Sequence, residues 1–192
     1  MFHEQIKEVT TEAHKNAEKH SYGMEIMSRT LTKNQYAQLL IANYTYIAAW
    51  EKQWENIGFE IPSGLKLEQR RKYSLLVQDL ENLGLNVSDI ELKNINKPAN
   101  YAEFIGRMYV VEGSTLGGAV IEKQLKLNAN LEGCSFHFYG GYGQNLIPFW
   151  KEFIGYLNEI SDDGKDAAIA EAKQTFAHME QCFIDAKQVA VS

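Results

Sequence analysis

The chain is poor in the residues that break helices or staple small domains: three of its 192 residues are proline and two are cysteine. Cys134 and Cys182 stand far apart, in no CxxC, CxxCH or zinc-type spacing. That excludes a disulfide framework and a thioether-linked cofactor, and leaves both thiols as small apolar fillers. No apolar run approaches the roughly 20 residues of a membrane helix. The opening Met1-Phe2-His3-Glu4-Gln5 has no basic stretch followed by an apolar core, so the expected compartment is the cytoplasm, with no membrane partner. Lys and Arg number 19 against 25 Asp and Glu, a net charge of −6, and no basic run interleaved with aromatics occurs. Nucleic acid is thereby excluded as a partner, although a few lysines around one cleft still make a local positive rim. No GxGxxG follows a strand, so the chain has no site for a nicotinamide or flavin of its own.

What is present is helical periodicity. With 45% hydrophobic and 23% charged residues the composition is that of an ordinary globular protein, and its length suits one domain spanning residues 1–192. The pattern predicts an all-α bundle. A first helix is expected from His3 to Lys19, burying Ile6, Val9, Ala13 and Ala17. Thr32 and Gln35 form a capping box opening a long second helix that carries Tyr36, Leu39, Leu40, Ile47 and Trp54. Leu67, Leu76, Leu80 and Leu83 mark a third, with Gly84 as its C-cap. Asn100 and Glu103 start a fourth. A loop rich in glycine and aromatics, residues 136–143, leads to Pro148 in the first turn of a fifth. A last helix, from Asp163 to Lys187, turns Ile169, Ala172, Phe176, Met179 and Phe183 inward.

The fourth helix holds the anomaly. Gly113, Gly117 and Gly118 fall within six residues of a strongly apolar stretch, Tyr109 to Ile121. Each interior helical glycine costs about 1 kcal/mol relative to alanine, roughly 3 kcal/mol together, so the helix is expected to kink or unwind there. Gly113 and Gly117 lie four apart on one face and Gly118 extends the bare strip, which lets backbone approach whatever lies opposite. Either a second helix or a broad flat ligand meets that requirement.

Five histidines, His3, His14, His20, His137 and His178, are candidate metal ligands. His14 sits at the edge of the first helix's apolar stripe. Glu18, one turn on, is placed to hold the imidazole nitrogen that a metal leaves free. Lys7, seven residues earlier, lies two turns back on the same face, about 10 Å along the axis.

The strings Ile6 to Glu18 and Tyr109 to Ile121 resemble those of haem oxygenases, the second that of the bacterial biliverdin-forming members, and the resemblance extends through Glu171 to Phe176. It implies that haem b is both cofactor and substrate, with O2 as cosubstrate and biliverdin, ferrous iron and carbon monoxide as products. In that family's terms His14 is the proximal iron ligand and Glu18 its partner. Gly113, Ser114, Gly117 and Gly118 are the catalytic stretch of the distal helix, steering bound O2 to one meso carbon, with Thr115 beside them. Lys7 and Lys151 match propionate-binding positions, and Phe176 an aromatic packing on the haem. Ser114 stands where mammalian members have an aspartate, Gly155 where they have an arginine and Met108 where they have a tyrosine. Electrons are expected from a separate ferredoxin, flavodoxin or reductase. The competing readings are a haem carrier or sensor that leaves its ligand intact, a di-iron bundle, for which the Glu-x-x-His repeats are missing, and a thiaminase-like hydrolase using Cys182.

Overall fold

In the computed structural model, residues 1–189 are described; residues 190–192, the end of the expected domain, lie outside them. Among the described residues eight α-helices follow in order: α1 (Phe2–Glu18), α2 (Gly23–Ser28), α3 (Lys33–Gln53), α4 (Tyr73–Asn82), α5 (Tyr101–Lys126), α6 (His137–Gly140), α7 (Leu146–Asn158) and α8 (Asp162–Ala186), separated by short 3-10 turns. There is no strand among the described residues, as the periodicity requires.

The boundaries are set by local chemistry. Thr32 and Gln35 form the expected reciprocal cap of α3. At α5, Asn100 Oδ1 accepts from the Glu103 N–H at 3.0 Å while Glu103 Oε2 accepts from the Ala99 N–H at 2.7 Å. Helix α4 ends on Gly84, whose φ of +77° allows the Gly84 and Leu85 N–H groups to bond the Glu81 and Leu80 carbonyls at 2.9 and 3.0 Å. The start of α4 departs from expectation. Leu67 belongs to a separate 3-10 turn, and the helix begins only at Tyr73, where Glu51 of α3 accepts from the Lys72 and Tyr73 N–H groups at 2.6 and 3.3 Å. That cap comes from another helix, so no local pattern announces it. Helices α2 and α6, of six and four residues, are too short to show a period.

Helix α8 is the strut of the bundle, packing on α5, α1 and α3. Helix α3 is buried nearly all round from Tyr36 to Glu51, as befits a helix without a polar face. On α1, Ile6 and Ala17 are buried as expected, but Val9 is 40% exposed. Thr10 occupies the core position instead; its Oγ1 donates to the Ile6 carbonyl at 2.6 Å, which satisfies the hydroxyl within the helix.

Helix α5 remains helical through Gly113, Gly117 and Gly118, so the chain does not unwind there. Its first half explains why. Phe104 to Glu112 are buried without a break, and burial on that scale outweighs a propensity loss of about 3 kcal/mol. Gly106, which the sequence reading passed over, makes the α5–α8 crossing: a Cβ there would lie 2.2 Å from the Ala168 carbonyl oxygen.

Candidate functional site

A cavity of about 440 Å³, within the roughly 300–1,000 Å³ of small-molecule sites, opens where the C-terminal turns of α1 face the second half of α5. His14, Ala17 and Glu18 form one wall, and the strip from Gly113 to Glu122 the opposite one. Leu39 and Asn43 of α3 with Met179 and Phe183 of α8 add to the lining, and Phe138 to Gly143 make up a further side.

The three glycines of α5 do different things. A Cβ on Gly117 would meet no protein atom within 4 Å, so nothing in the fold demands its bareness and the space beside it belongs to the cavity. A Cβ on Gly113 would make ordinary contact with the Trp150 ring at 3.7 Å. Gly118 packs closely: a Cβ would stand 3.0 Å from the Tyr139 carbonyl oxygen, tighter than an ordinary contact. Packing and open cavity thus meet the motif at neighbouring residues, Gly118 and Gly117.

Of the five histidines, His14 alone lines the cavity. Its Nδ1 is 3.5 Å from Glu18 Oε2, with both side chains more than half exposed. Phe176 of α8 meets the His14 ring edge-on, centroids 5.4 Å apart at 90°, and packs behind the imidazole rather than on the cavity surface. His3 meets Tyr109 and Trp150 edge-on, His20 pairs with Glu180 at 3.6 Å and His178 lies against Tyr46. Ser114 and Thr115 line the cavity, but their hydroxyls donate back into the helix, to the Val111 carbonyl at 2.8 Å and the Glu112 carbonyl at 2.6 Å. While those bonds hold, each oxygen faces a ligand only as an acceptor. Lys7 and Lys151 are exposed and stand outside the lining, on α1 and on α7, which packs against α1. Cys182 is buried, and burial pushes its thiol up to about 11, so it is protonated at neutral pH and unsuited to nucleophilic work.

Sequence reasoning missed the polar anchor beneath the glycine strip. Glu112, 2% exposed, accepts from Lys72 Nζ at 2.7 Å, from the Tyr142 hydroxyl at 2.7 Å and from the Arg70 guanidinium. Burial by itself would raise the Glu112 carboxyl, but Lys72 and Arg70 outweigh it and hold the group below its ordinary value. Tyr142 is pushed the other way, by burial and by Glu112, and stays a phenol. The signal in the sequence was faint: a charged residue inside the apolar run Tyr109 to Ile121, with Arg70 and Lys72 some 40 residues earlier.

The residues present fit haem. A single imidazole stands on one wall, a helix stripped of Cβ atoms at Gly117 on the other, and the lining between is mainly apolar. Comparison with known proteins points the same way. Residues 1–185 match the model of the heme oxygenase family. A heme oxygenase of Xanthomonas campestris pv. campestris is 29% identical over 150 residues, covering 77% of this chain and 87% of that protein. Among solved structures, a heme oxygenase from Neisseria meningitidis with NO and CO bound superposes with a TM-score of 0.73 at 24% identity, over 100% of this chain and 94% of that one. The heme oxygenase of Leptospira interrogans gives 0.77 at 22% identity, over 94% and 97%. Such identities speak for the fold, and the all-helical architecture is shared. The match along nearly the whole chain decides the family: the protein belongs to the heme oxygenases, enzymes that degrade haem.

Proposed function

We propose that the protein cleaves haem b to biliverdin, ferrous iron and carbon monoxide, using O2 and electrons from a separate ferredoxin, flavodoxin or reductase, with His14 as the proximal iron ligand. One observation carries this reading: the cavity has one histidine on its α1 wall, and facing it on α5 a glycine with no protein atom where its side chain would be. Bound haem supplies both the iron that activates O2 and the ring that is opened.

The chain's own residues orient and exclude. Glu18 Oε2, 3.5 Å from His14 Nδ1, is placed to hold that nitrogen and so leave Nε2 for the metal. Phe176 blocks the imidazole from rotating toward α8. On the opposite wall Gly117 leaves room for a macrocycle to approach the main chain of α5, and the shape of that wall would favour one meso edge for O2. Ser114 and Thr115, as acceptors, would hold ordered water there, and that water would supply the protons. Lys7 and Lys151, on neighbouring helices, serve the propionates at the solvent edge. The described residues act as one domain, and the protein works in the cytoplasm; no helix among them is long and apolar enough to cross a membrane.

The test is to incubate purified protein with haem and a reductant in air. Loss of the Soret band with growth of a bilin absorbance is expected, and a stable haem spectrum would make the protein a carrier instead. His14→Ala should abolish the histidine-ligated spectrum; an unchanged one would move the ligand role to another residue.

A further inference from the structure

Residues 135–146 form one side of the cavity with little regular structure of their own, only the four-residue α6 and a 3-10 turn. Several attachments hold this segment: at its start the Tyr36 hydroxyl donates to the Ser135 carbonyl at 2.7 Å and Asn82 Oδ1 accepts from the Ser135 N–H at 2.8 Å. Buried Asp79 of α4 accepts from Ser135 Oγ, the His137 N–H and the Phe138 N–H at 2.7, 2.9 and 2.8 Å. The Tyr139 carbonyl lies against Gly118. At the far end the Tyr142 hydroxyl accepts from Lys72 Nζ at 2.8 Å and donates to Glu112 Oε1 at 2.7 Å.

The last attachment differs from the others in where it leads. Glu112 immediately precedes Gly113, so the bond joins the loop to the helix that opposes His14 at the point where the bare strip begins. With its one proton donated to Glu112 and its oxygen accepting from Lys72, the phenol is fixed on both sides, and so is the ring that lines the cavity. A planar macrocycle has four nearly equivalent edges, and with few directional contacts its rotation in the plane is limited by the shape of the walls. A wall that moves by a fraction of an ångström admits a different edge. We propose that Tyr142, clamped by Lys72 and Glu112, is a positioning residue that fixes the in-plane seating of haem and thereby selects the meso carbon that is cleaved. This rests on the reading of the cavity as the haem site.

Tyr142→Phe tests it with little risk to folding, because Glu112 keeps Arg70 and Lys72, and Lys72 keeps the Arg70 carbonyl at 3.0 Å. Amide hydrogen exchange is measured on the haem-free proteins, and bilin isomers are separated after turnover with haem, O2 and reductant. In the variant, exchange over residues 137–145 should rise about tenfold, as expected for one lost hydrogen bond, with the other helices unchanged. The ratio of bilin isomers should shift by a similar factor of about ten. Lys72→Met, removing the other half of the clamp, should shift it in the same direction. An isomer ratio unmoved in Tyr142→Phe overturns the proposal, as does unaltered exchange in the loop. A wild-type protein that yields no bilin at all removes the underlying reading and this proposal with it, a result easily told from a wild type whose isomer pattern the variant preserves.

Discussion

The two halves of α5 share one helix and obey opposite rules. From Phe104 to Glu112 every residue is buried, two charged side chains among them, and both are matched by named partners: Arg107 with Glu171, Gln53 and the Asn96 carbonyl, Glu112 with Arg70, Lys72 and Tyr142. From Gly113 to Glu122 only Gly118 is buried and the helix borders open space. Glycine shows the contrast most clearly. Gly106 is bare because Ala168 backbone occupies the place of its side chain, whereas Gly117 is bare although nothing in the protein does. What sets Gly117 apart is that the open space beside it is the cavity that His14 borders.

Breaking the locked half should produce the largest effects. Glu112→Gln leaves Arg70 and Lys72 buried with one charge removed, and a loss of about 3–5 kcal/mol in chemical denaturation is expected. The same variant should alter the acid limb. Because the carboxyl is held below its ordinary value in the folded state, the stability it contributes is complete above the ordinary carboxylate range and disappears as pH falls through the lowered value. Denaturation midpoints of Glu112→Gln should therefore fall less between pH 5 and pH 3, in the region of ~4.3 where free carboxylates titrate, than those of the wild type; parallel curves would remove Glu112 from the acid transition.

Gly106→Ala should cost about 3 kcal/mol, since the added methyl meets backbone that cannot turn aside. Gly117→Ala should do the reverse, stabilising the haem-free protein by up to about 1 kcal/mol through helix propensity while weakening haem binding in a Soret titration. Were both alanines equally destabilising, the distinction between a packing glycine and a ligand-facing one would collapse. The smallest effects are reserved for the solvent edge: Lys7→Ala and Lys151→Ala, each removing an exposed cation, should weaken haem binding by less than about 1 kcal/mol apiece, or roughly fivefold. A much larger loss from either would place that lysine inside the closed site.

How much of this was legible beforehand depended on the range of the interaction. The caps at Thr32, Gly84 and Asn100 were readable because donor and acceptor lie within a few residues of each other. The place of His14, one turn from Glu18 and opposite the glycines, was readable from spacing and from the resemblance together. Val9 was misplaced because Thr10 can bury its hydroxyl by bonding Ile6, an option that hydrophobicity alone conceals. The start of α4 and the attachments of residues 135–146 were invisible, since Glu51 and Asp79 act across gaps of 21 and 56 residues or more.

By itself, then, the sequence determined the helical class, the order of the main helices, the two strips that face each other and the family to which they point, because periodicity and short-range hydrogen bonding are written along the chain. Only the tertiary structure decided which glycine meets protein and which meets open space, and that Glu112 binds Lys72, Arg70 and Tyr142 beside the cavity. Those outcomes depend on which atoms share a volume, and that is fixed when α8 and the loop before α7 close against α5.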